Sequence, residues 1–260
     1  MKFSADIVRG SLYMVAAAFF FSCMSALIRL GSEELHAFQI AFFRNLFGLL
    51  FMVPWLLRTG RTALHTERIG LYWLRAILGV MTMLAFFWTL TILPLAEAVS
   101  LSFTAPLFVT VGAALILREQ VRMRRWSATL VGFLGTLIIL RPGFESITAP
   151  AIVALLAAAT MAMSVLIIKS LSRTESSNAI VTYMVLMMTP LSLLPALFVW
   201  EWPDASTWFL MVALGGCGTA GHLLFTRAMS TADASLVMPL DFVRLPIVAA
   251  LGYLIFDQTV

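Results

Sequence analysis

The sequence predicts an all-α fold, a polytopic transmembrane helical bundle of two inverted five-helix repeats with the tenth helix missing. Three observations predict it: a charge content too low for a water-facing surface, recurring apolar runs of membrane-crossing length, and an internal repeat whose second copy stops early. Of 260 residues, 61% are apolar and 12% charged, and the mean hydropathy is +0.98. A soluble domain carries roughly a quarter charged residues, because water must solvate its surface. Here lipid must take the place of water.

Cutting at charges, prolines and loop-forming residues gives nine spans, roughly 10–29, 37–57, 74–93, 97–117, 126–141, 150–169, 178–200, 206–227 and 235–256. Each has about 17 to 23 residues, enough at about 1.5 Å per residue to cross a hydrocarbon core of about 30 Å. Unpaired backbone groups are not tolerated in lipid, so such runs must be helical. The first span opens past Arg9 and closes at Arg29, too long and without a small-residue cleavage site for a removable signal, so it reads as an uncleaved helix. The second leads to Arg58, the third opens with Arg75, and the fourth, which contains Pro106, starts at Glu97. The fifth follows Arg124 and Arg125, the sixth runs from Pro150 to Lys169, and the eighth carries a cluster of glycines before Arg227. The ninth contains Pro239 and Pro246 and ends near the last residue, Val260.

The net charge of +4 comes from basic residues spread over short connections, with no basic face for a phosphate backbone, so no nucleic acid is expected as a partner. Membrane topology explains it better. With the N-terminus cytoplasmic, thirteen of the seventeen basic residues fall on the inside, among them Arg61, Arg75 and Lys169. Arg29 and Arg141 fall outside, and Arg44 and Arg244 within spans. The positive-inside rule then places the N-terminus in the cytoplasm. Cys23 and Cys217 lie in apolar runs and have neither disulfide-framework nor metal-ligand spacing.

The repeat is read from short matches. Leu78-Gly79 to Ala96-Glu97-Ala98 matches Leu214-Gly215 to Ala232-Asp233-Ala234 at an offset of 136, and Glu119-Gln120-Val121 matches Asp257-Gln258-Thr259 at 138. Arg29 and Lys169 close the first and sixth spans at corresponding places. The unit is five helices, and an odd number inverts the second copy. The first repeat occupies 1–145 and the second 146–260, the latter cut before its fifth helix, which would leave the C-terminus outside.

Several of these residues resemble a known pattern. Ala41-Phe42-Phe43-Arg44-Asn45 opens the second span, and Leu95-Ala96-Glu97-Ala98 enters the Pro106-bearing fourth, which Arg118-Glu119-Gln120 follows. Asp233-Ala234-Ser235 precedes the Pro239-bearing ninth. In order and spacing the chain resembles the EamA-type carriers of the drug/metabolite transporter superfamily over essentially its whole length. The resemblance implies ten helices, both termini cytoplasmic, a cavity lined mainly by helices 1, 3, 4, 6, 8 and 9, and transport of small polar or zwitterionic metabolites such as amino acids, nucleoside-like compounds or vitamins. The connection Leu35-His36-Ala37-Phe38 looks most like the branch that includes S-adenosylmethionine carriers. Lacking a tenth helix, the chain departs from the family.

Ionisable residues inside a span usually face a protein interior or a cavity. Asp241 and Arg244, three apart, share a helix face and either hold a zwitterion's charges or form a salt bridge that makes the helix insertable. Arg44 either binds an anion or snorkels to the interface, as befits a helix peripheral in the resembling fold. His222, matched in the repeat to Phe86, is either a cavity group or a hydrogen-bonded packing residue. Glu97 and Asp233 read as helix N-terminal caps. Pro106, Pro239 and Pro246 interrupt two repeat-related spans, the pattern that points to a transporter's site or to a static kink. The aromatics Phe19, Phe20, Phe86, Phe87, Trp88 and Phe103 either stack on a planar or cationic ligand or pack. The glycines 79, 215, 216, 218 and 221 permit close helix approach. The expected substrate-binding set is therefore Asp241, Arg244, His222, Trp88, Phe103 and Arg44.

No HExxH, GxSxG, His/Cys cluster or Walker-type loop is present, so neither catalytic residues, nor a metal, nor a cofactor is expected, and an enzyme is disfavoured. The expected partners are a small-molecule substrate and the lipid bilayer of a bacterial inner membrane. Exposed faces and the absent helix make a homodimer worth weighing. The competing reading is a non-transporting scaffold or degenerate carrier fragment.

Overall fold

The computed structural model of the chain describes residues 2–60, 65–140 and 148–257. Among them no strand occurs. The elements are α1 (Lys2–Gly31), α2 (Ala37–Thr59), α3 (Ile69–Ile92), α4 (Leu95–Ser102), α5 (Ala105–Leu115), α6 (Met123–Leu140), α7 (Ala149–Leu171), α8 (Ser177–Leu197), α9 (Ala205–Thr231), α10 (Ala234–Val237), a 3-10 turn (Met238–Val243) and α11 (Arg244–Phe256). Arg61, Arg141, Gln258 and Thr259, used in the charge count and the repeat, lie outside the described residues.

Nine spans were expected, whereas eight helices among the described residues are long and apolar enough to cross a membrane. The difference is the fifth expected span. It corresponds to the 18-residue helix α6, which is not among those eight. The fourth and ninth expected spans are both broken helices. In the first half α4 stops at Ser102 and α5 restarts at Ala105, with Pro106 in its first turn where a missing N–H costs nothing. In the second half α10 gives way to a 3-10 turn, and α11 restarts at Arg244, two residues before Pro246.

The halves repeat in their hydrogen bonds, at a register different from the 136 read off the sequence. Arg29, at the end of α1, donates to Leu90 O and Leu93 O at 2.9 and 3.0 Å, and so closes the carbonyl end of α3. Lys169, at the end of α7, donates to Met229 O and Ala232 O at 2.7 and 2.6 Å, and closes α9 in the same way. Carbonyls at a helix end lack intrahelical partners, and a cation there also interacts favourably with the helix dipole. Leu93 and Ala232 are 139 residues apart, as are Arg118 and Asp257, the two non-glycine residues with positive φ among the described residues. His222 is therefore matched by Met83, not Phe86. Asp233 is matched by Pro94, not Glu97. Lys169, counted from sequence as a cytoplasmic charge, is a buried structural cation.

The helices pack as the repeat demands: α1 lies along α9, α3 along α7, and α2 against both α8 and α9. Gly215 lets α9 meet α2 backbone to backbone, since a Cβ there would collide with Phe47. Outward side chains such as Leu12, Phe108, Leu156, Phe209 and Leu254 are exposed and apolar, a surface that only lipid covers. The chain is a multi-pass membrane protein.

Candidate functional site

Between the halves lies a cavity of about 140 Å3, roughly the liquid volume of five water molecules. Its wall is mostly apolar. Phe21, Phe86, Phe87 and Phe225 present ring surface, and Met24, Met83, Met161, Met184 and Met188 fill the spaces between rings. Into this wall four basic side chains project: Arg44 from α2, Arg75 from α3, His222 from α9 and Arg244 from the start of α11. Among the described residues no carboxylate lines the cavity.

Each cation is held differently. Arg244 begins a helix, where a positive charge opposes the dipole, and the 3-10 turn answers this by placing Asp241 on the same side. Arg244 Nη2 and Asp241 Oδ1 pair at 2.9 Å, both residues at most 5% exposed. The guanidinium also lies 4.9 Å from the Phe21 ring and 5.8 Å from Phe103. Arg44 is 2% exposed, so it does not snorkel. Its Nη1 donates to Asn45 Oδ1 at 2.7 Å, and Asn45 in turn donates to Ser192 Oγ at 3.1 Å. Arg75, also 2% exposed, reaches the Met184 sulfur at 3.2 Å, its one hydrogen-bond partner among the described residues. His222 lies edge-on to Phe21 with ring centroids 5.0 Å apart. Among the described residues its Nδ1 has no hydrogen-bond partner, nor have Arg44 Nη2, Arg75 Nε and Arg244 Nε.

Of the six residues expected from sequence, Arg44, His222 and Arg244 line the cavity, and Asp241 stands behind Arg244. Phe103 is fully buried and stacks on Phe242 at 4.9 Å, two rings 139 residues apart and thus repeat-related. Trp88 is half-buried on α3 and is not part of the wall. Arg75 was missed. It was read as an inside-loop cation, but α3 starts at Ile69, a full turn earlier than expected, and carries Arg75 into the bundle. The signal was the apolar stretch Ile69 to Leu74 directly before it. The capping expected of Asp233 is done by Glu119, whose carboxylate accepts from the Ala234 and Ser235 amides at 3.1 Å each.

Matched contacts join the two halves at opposite ends of the bundle. On one side Thr207 Oγ1, at the start of α9, donates to Glu34 Oε2 of the α1–α2 connection at 2.7 Å. On the other, Thr66 Oγ1, just before α3, donates to Glu175 Oε1 of the α7–α8 connection at 2.8 Å. The second end adds Arg68, which donates to Ser170 O at 2.9 Å and Ser170 Oγ at 2.8 Å. The first adds Asp204, whose carboxylate accepts from Thr207 N–H at 2.7 Å. These two hydrogen-bond sets join opposite halves of the molecule.

Known proteins agree with this architecture. The profile of the EamA-like transporter family matches residues 8–141 and 148–260. A riboflavin transporter of Vibrio cholerae is 33% identical over 96% of this chain and 85% of its own. An S-adenosylmethionine uptake transporter of Rickettsia prowazekii is 32% identical over 86% of this chain and 76% of its own. A pseudopaline exporter of Pseudomonas aeruginosa is 30% identical over 96% and 88%. One crystal structure, 20% identical, superposes with a TM-score of 0.80 over 96% of this chain and 88% of that one, a likeness of fold.

Proposed function

We propose a mechanism and a cargo class for this chain, which belongs to the EamA-like transporter family and is a small-molecule transporter rather than an enzyme: a secondary carrier that moves a polar or zwitterionic metabolite with a planar ring by alternating access. The observation that carries the proposal is the central cavity, where charged groups stand inside an otherwise apolar membrane bundle, at the junction of two repeat-related halves. Charges in such a place are costly to bury and belong to function by default. The phenylalanine walls suit a flat ring, and the guanidinium N–H groups suit its carbonyl or carboxylate oxygens. Riboflavin and S-adenosylmethionine, the cargoes named for two relatives, both join a heteroaromatic ring to a polar chain.

Alternating access is supported by the paired closures. Opening the Thr207–Glu34 end exposes the cavity to one side, and opening the Thr66–Glu175 end exposes it to the other. The charge distribution supports an N-terminus in the cytoplasm of a bacterial inner membrane. With Arg75 and Lys169 removed from the thirteen inside cations, eleven remain against Arg29 and Arg141 outside.

Counterflow in proteoliposomes is the test. Vesicles holding the purified chain are preloaded with unlabelled riboflavin, S-adenosylmethionine, amino acids or nucleosides, and uptake of the labelled compound is followed. Saturable accumulation above protein-free vesicles is expected for at least one ring-bearing compound. Folded, correctly inserted protein that accumulates none of them overturns the proposal.

A further inference from the structure

We propose that Arg44 and Arg75 form an anion subsite, and that the cargo bears a carboxylate or comparable anionic group that completes it. The inference rests on the carrier reading above and adds the charge of the cargo.

The molecule supplies its own standard for what a structural cation looks like. Arg29 and Lys169 each spend their N–H groups on backbone carbonyls at a helix end, and Arg68 donates to the Ser170 carbonyl and to the Ser170 and Thr174 hydroxyls. Arg244 has a carboxylate at 2.9 Å. Arg44 and Arg75 fit neither pattern. Both are 2% exposed, and among the described residues neither makes an ion pair. Their protein partners are neutral, an amide oxygen for Arg44 and a thioether sulfur for Arg75, and each retains a buried N–H without a partner. Both guanidinium groups line the same cavity. A guanidinium stays charged under ordinary conditions, so such a pair calls for an anion in the cavity. Its planar fork of donors matches a carboxylate or phosphate in two-point contact.

The surroundings hold that arrangement in place. Asn45, anchored on Ser192, fixes one edge of the Arg44 guanidinium. Gly218 of α9 clears the other: a Cβ there would stand 2.7 Å from Arg44 Nε and 3.2 Å from Nη2. The obstructed atoms are the far end of a flexible side chain. Adding a methyl group at 218 therefore moves the guanidinium without breaking the helix contact, which makes Gly218 a positioning residue for the subsite. His222, with its free Nδ1, faces the same cavity and offers a further contact.

The test uses matched compounds that differ in charge: nicotinate against nicotinamide, and riboflavin 5′-phosphate against riboflavin, with inorganic phosphate as a separate arm. Binding is read as the shift in melting temperature of the purified full chain in detergent. The anionic member of each pair is expected to stabilise more than its neutral partner and more than inorganic phosphate. Arg44→Gln and Arg75→Gln should each weaken the anion roughly tenfold to hundredfold while sparing the neutral partner. Gly218→Ala should weaken it less, with the ligand-free melting temperature nearly unchanged. Equal shifts for both members, no shift for either, or an anion preference that survives loss of both arginines would overturn the inference. A shift reproduced in full by inorganic phosphate would also overturn it, as an adventitious anion site. Counterflow separates this from the parent reading: flux of a neutral compound indifferent to Arg44 and Arg75 leaves the carrier standing and sinks the subsite, whereas anion binding without any flux does the reverse.

Discussion

The ends of this molecule repeat themselves, and its centre does not. At the ends, Arg29 and Lys169 close the third helix of each half, and Thr207–Glu34 mirrors Thr66–Glu175, with each partner 141 residues from its counterpart. In the cavity the correspondence dissolves. At the offsets of 139 and 140 set by the helix ends, Arg44 faces a counterpart Met184, Asp241 a Ser102, Arg244 an Ala105 and His222 a Met83. The proposed alternating access would give both facts one cause: two gates built from the same contacts would cost similar amounts to open, so neither conformation would be trapped. A cargo has no twofold symmetry, and a site that recognises it need have none either. Only where Phe103 stacks on its own repeat-mate Phe242 does the symmetry reach the middle.

The largest effect is expected from breaking the asymmetric centre. Asp241→Asn leaves Arg244 buried and without its counter-charge, and removing one partner of a buried pair costs about 3–5 kcal/mol. The melting temperature in detergent should fall well below that of the parent chain. Adding Arg244→Gln to the same chain should restore part of the loss, because no uncompensated charge remains. An unchanged melting temperature in the single variant, or a double variant as unstable as the single, would show that the pair carries little of the centre's stability.

A smaller effect, opposite in sign at the two ends, should follow from Thr66→Val and Thr207→Val. Each removes one hydrogen bond to a carboxylate, worth about 1.5–3 kcal/mol at most and less where water reaches it. Stability should barely move. The populations of the open states should, and in opposite directions. With Ser164→Cys in the cavity wall and Cys23 and Cys217 replaced, a membrane-impermeant maleimide reports access from each side. Thr207→Val should raise labelling from the Glu34 side and Thr66→Val from the Glu175 side. Labelling that rises from the same side in both variants contradicts the matched-gate comparison.

This contrast also explains what the sequence made legible. Helices announce themselves by apolar length: the expected 37–57 and 150–169 became Ala37–Thr59 and Ala149–Leu171. Prolines at related places marked both broken helices, and the three-residue spacing of Asp241 and Arg244 placed them on one side. The repeat was visible but misaligned by three residues, because short matches such as Leu-Gly are common in apolar sequence. The positive-φ residues that help set the register have no residue signature, one being an arginine and the other an aspartate. The matched cations Arg29 and Lys169, legible in the sequence at an offset of 140, do not show which carbonyls they cap. For the site, the sequence showed which groups were ionisable within spans. It did not show which way a side chain turns, and so Trp88 was included and Arg75 left out. Gly218 matters through a distance to Arg44 on another helix, which no local pattern encodes.

The smallest effect concerns an asymmetry between the two ends themselves. Asp204 caps α9, while the residue at the start of α3 is Arg68, whose side chain makes no cap. The Thr207 amide and the Ser206 hydroxyl donate to the Asp204 carboxylate at 2.7 and 2.9 Å, which holds its pKa below the ordinary carboxylate value. A carboxyl whose folded pKa is depressed contributes its stabilisation above its unfolded value and loses it as pH falls through the folded one. Acidification below about pH 4 should therefore loosen the start of α9 and leave the start of α3 unaffected by this mechanism. Hydrogen exchange of the amides at 205–208, corrected for intrinsic pH dependence and compared with those at 69–72, reads the difference. Because the carboxylate is exposed, the change is smaller than those at the gates or the ion pair. Asp204→Asn separates it from the neighbouring Glu34: the variant should lose the acid step at α9 and keep the Thr207–Glu34 contact. An acid step of the same size in parent and variant would place its origin elsewhere at that end and leave the two helix starts equivalent in their response to pH.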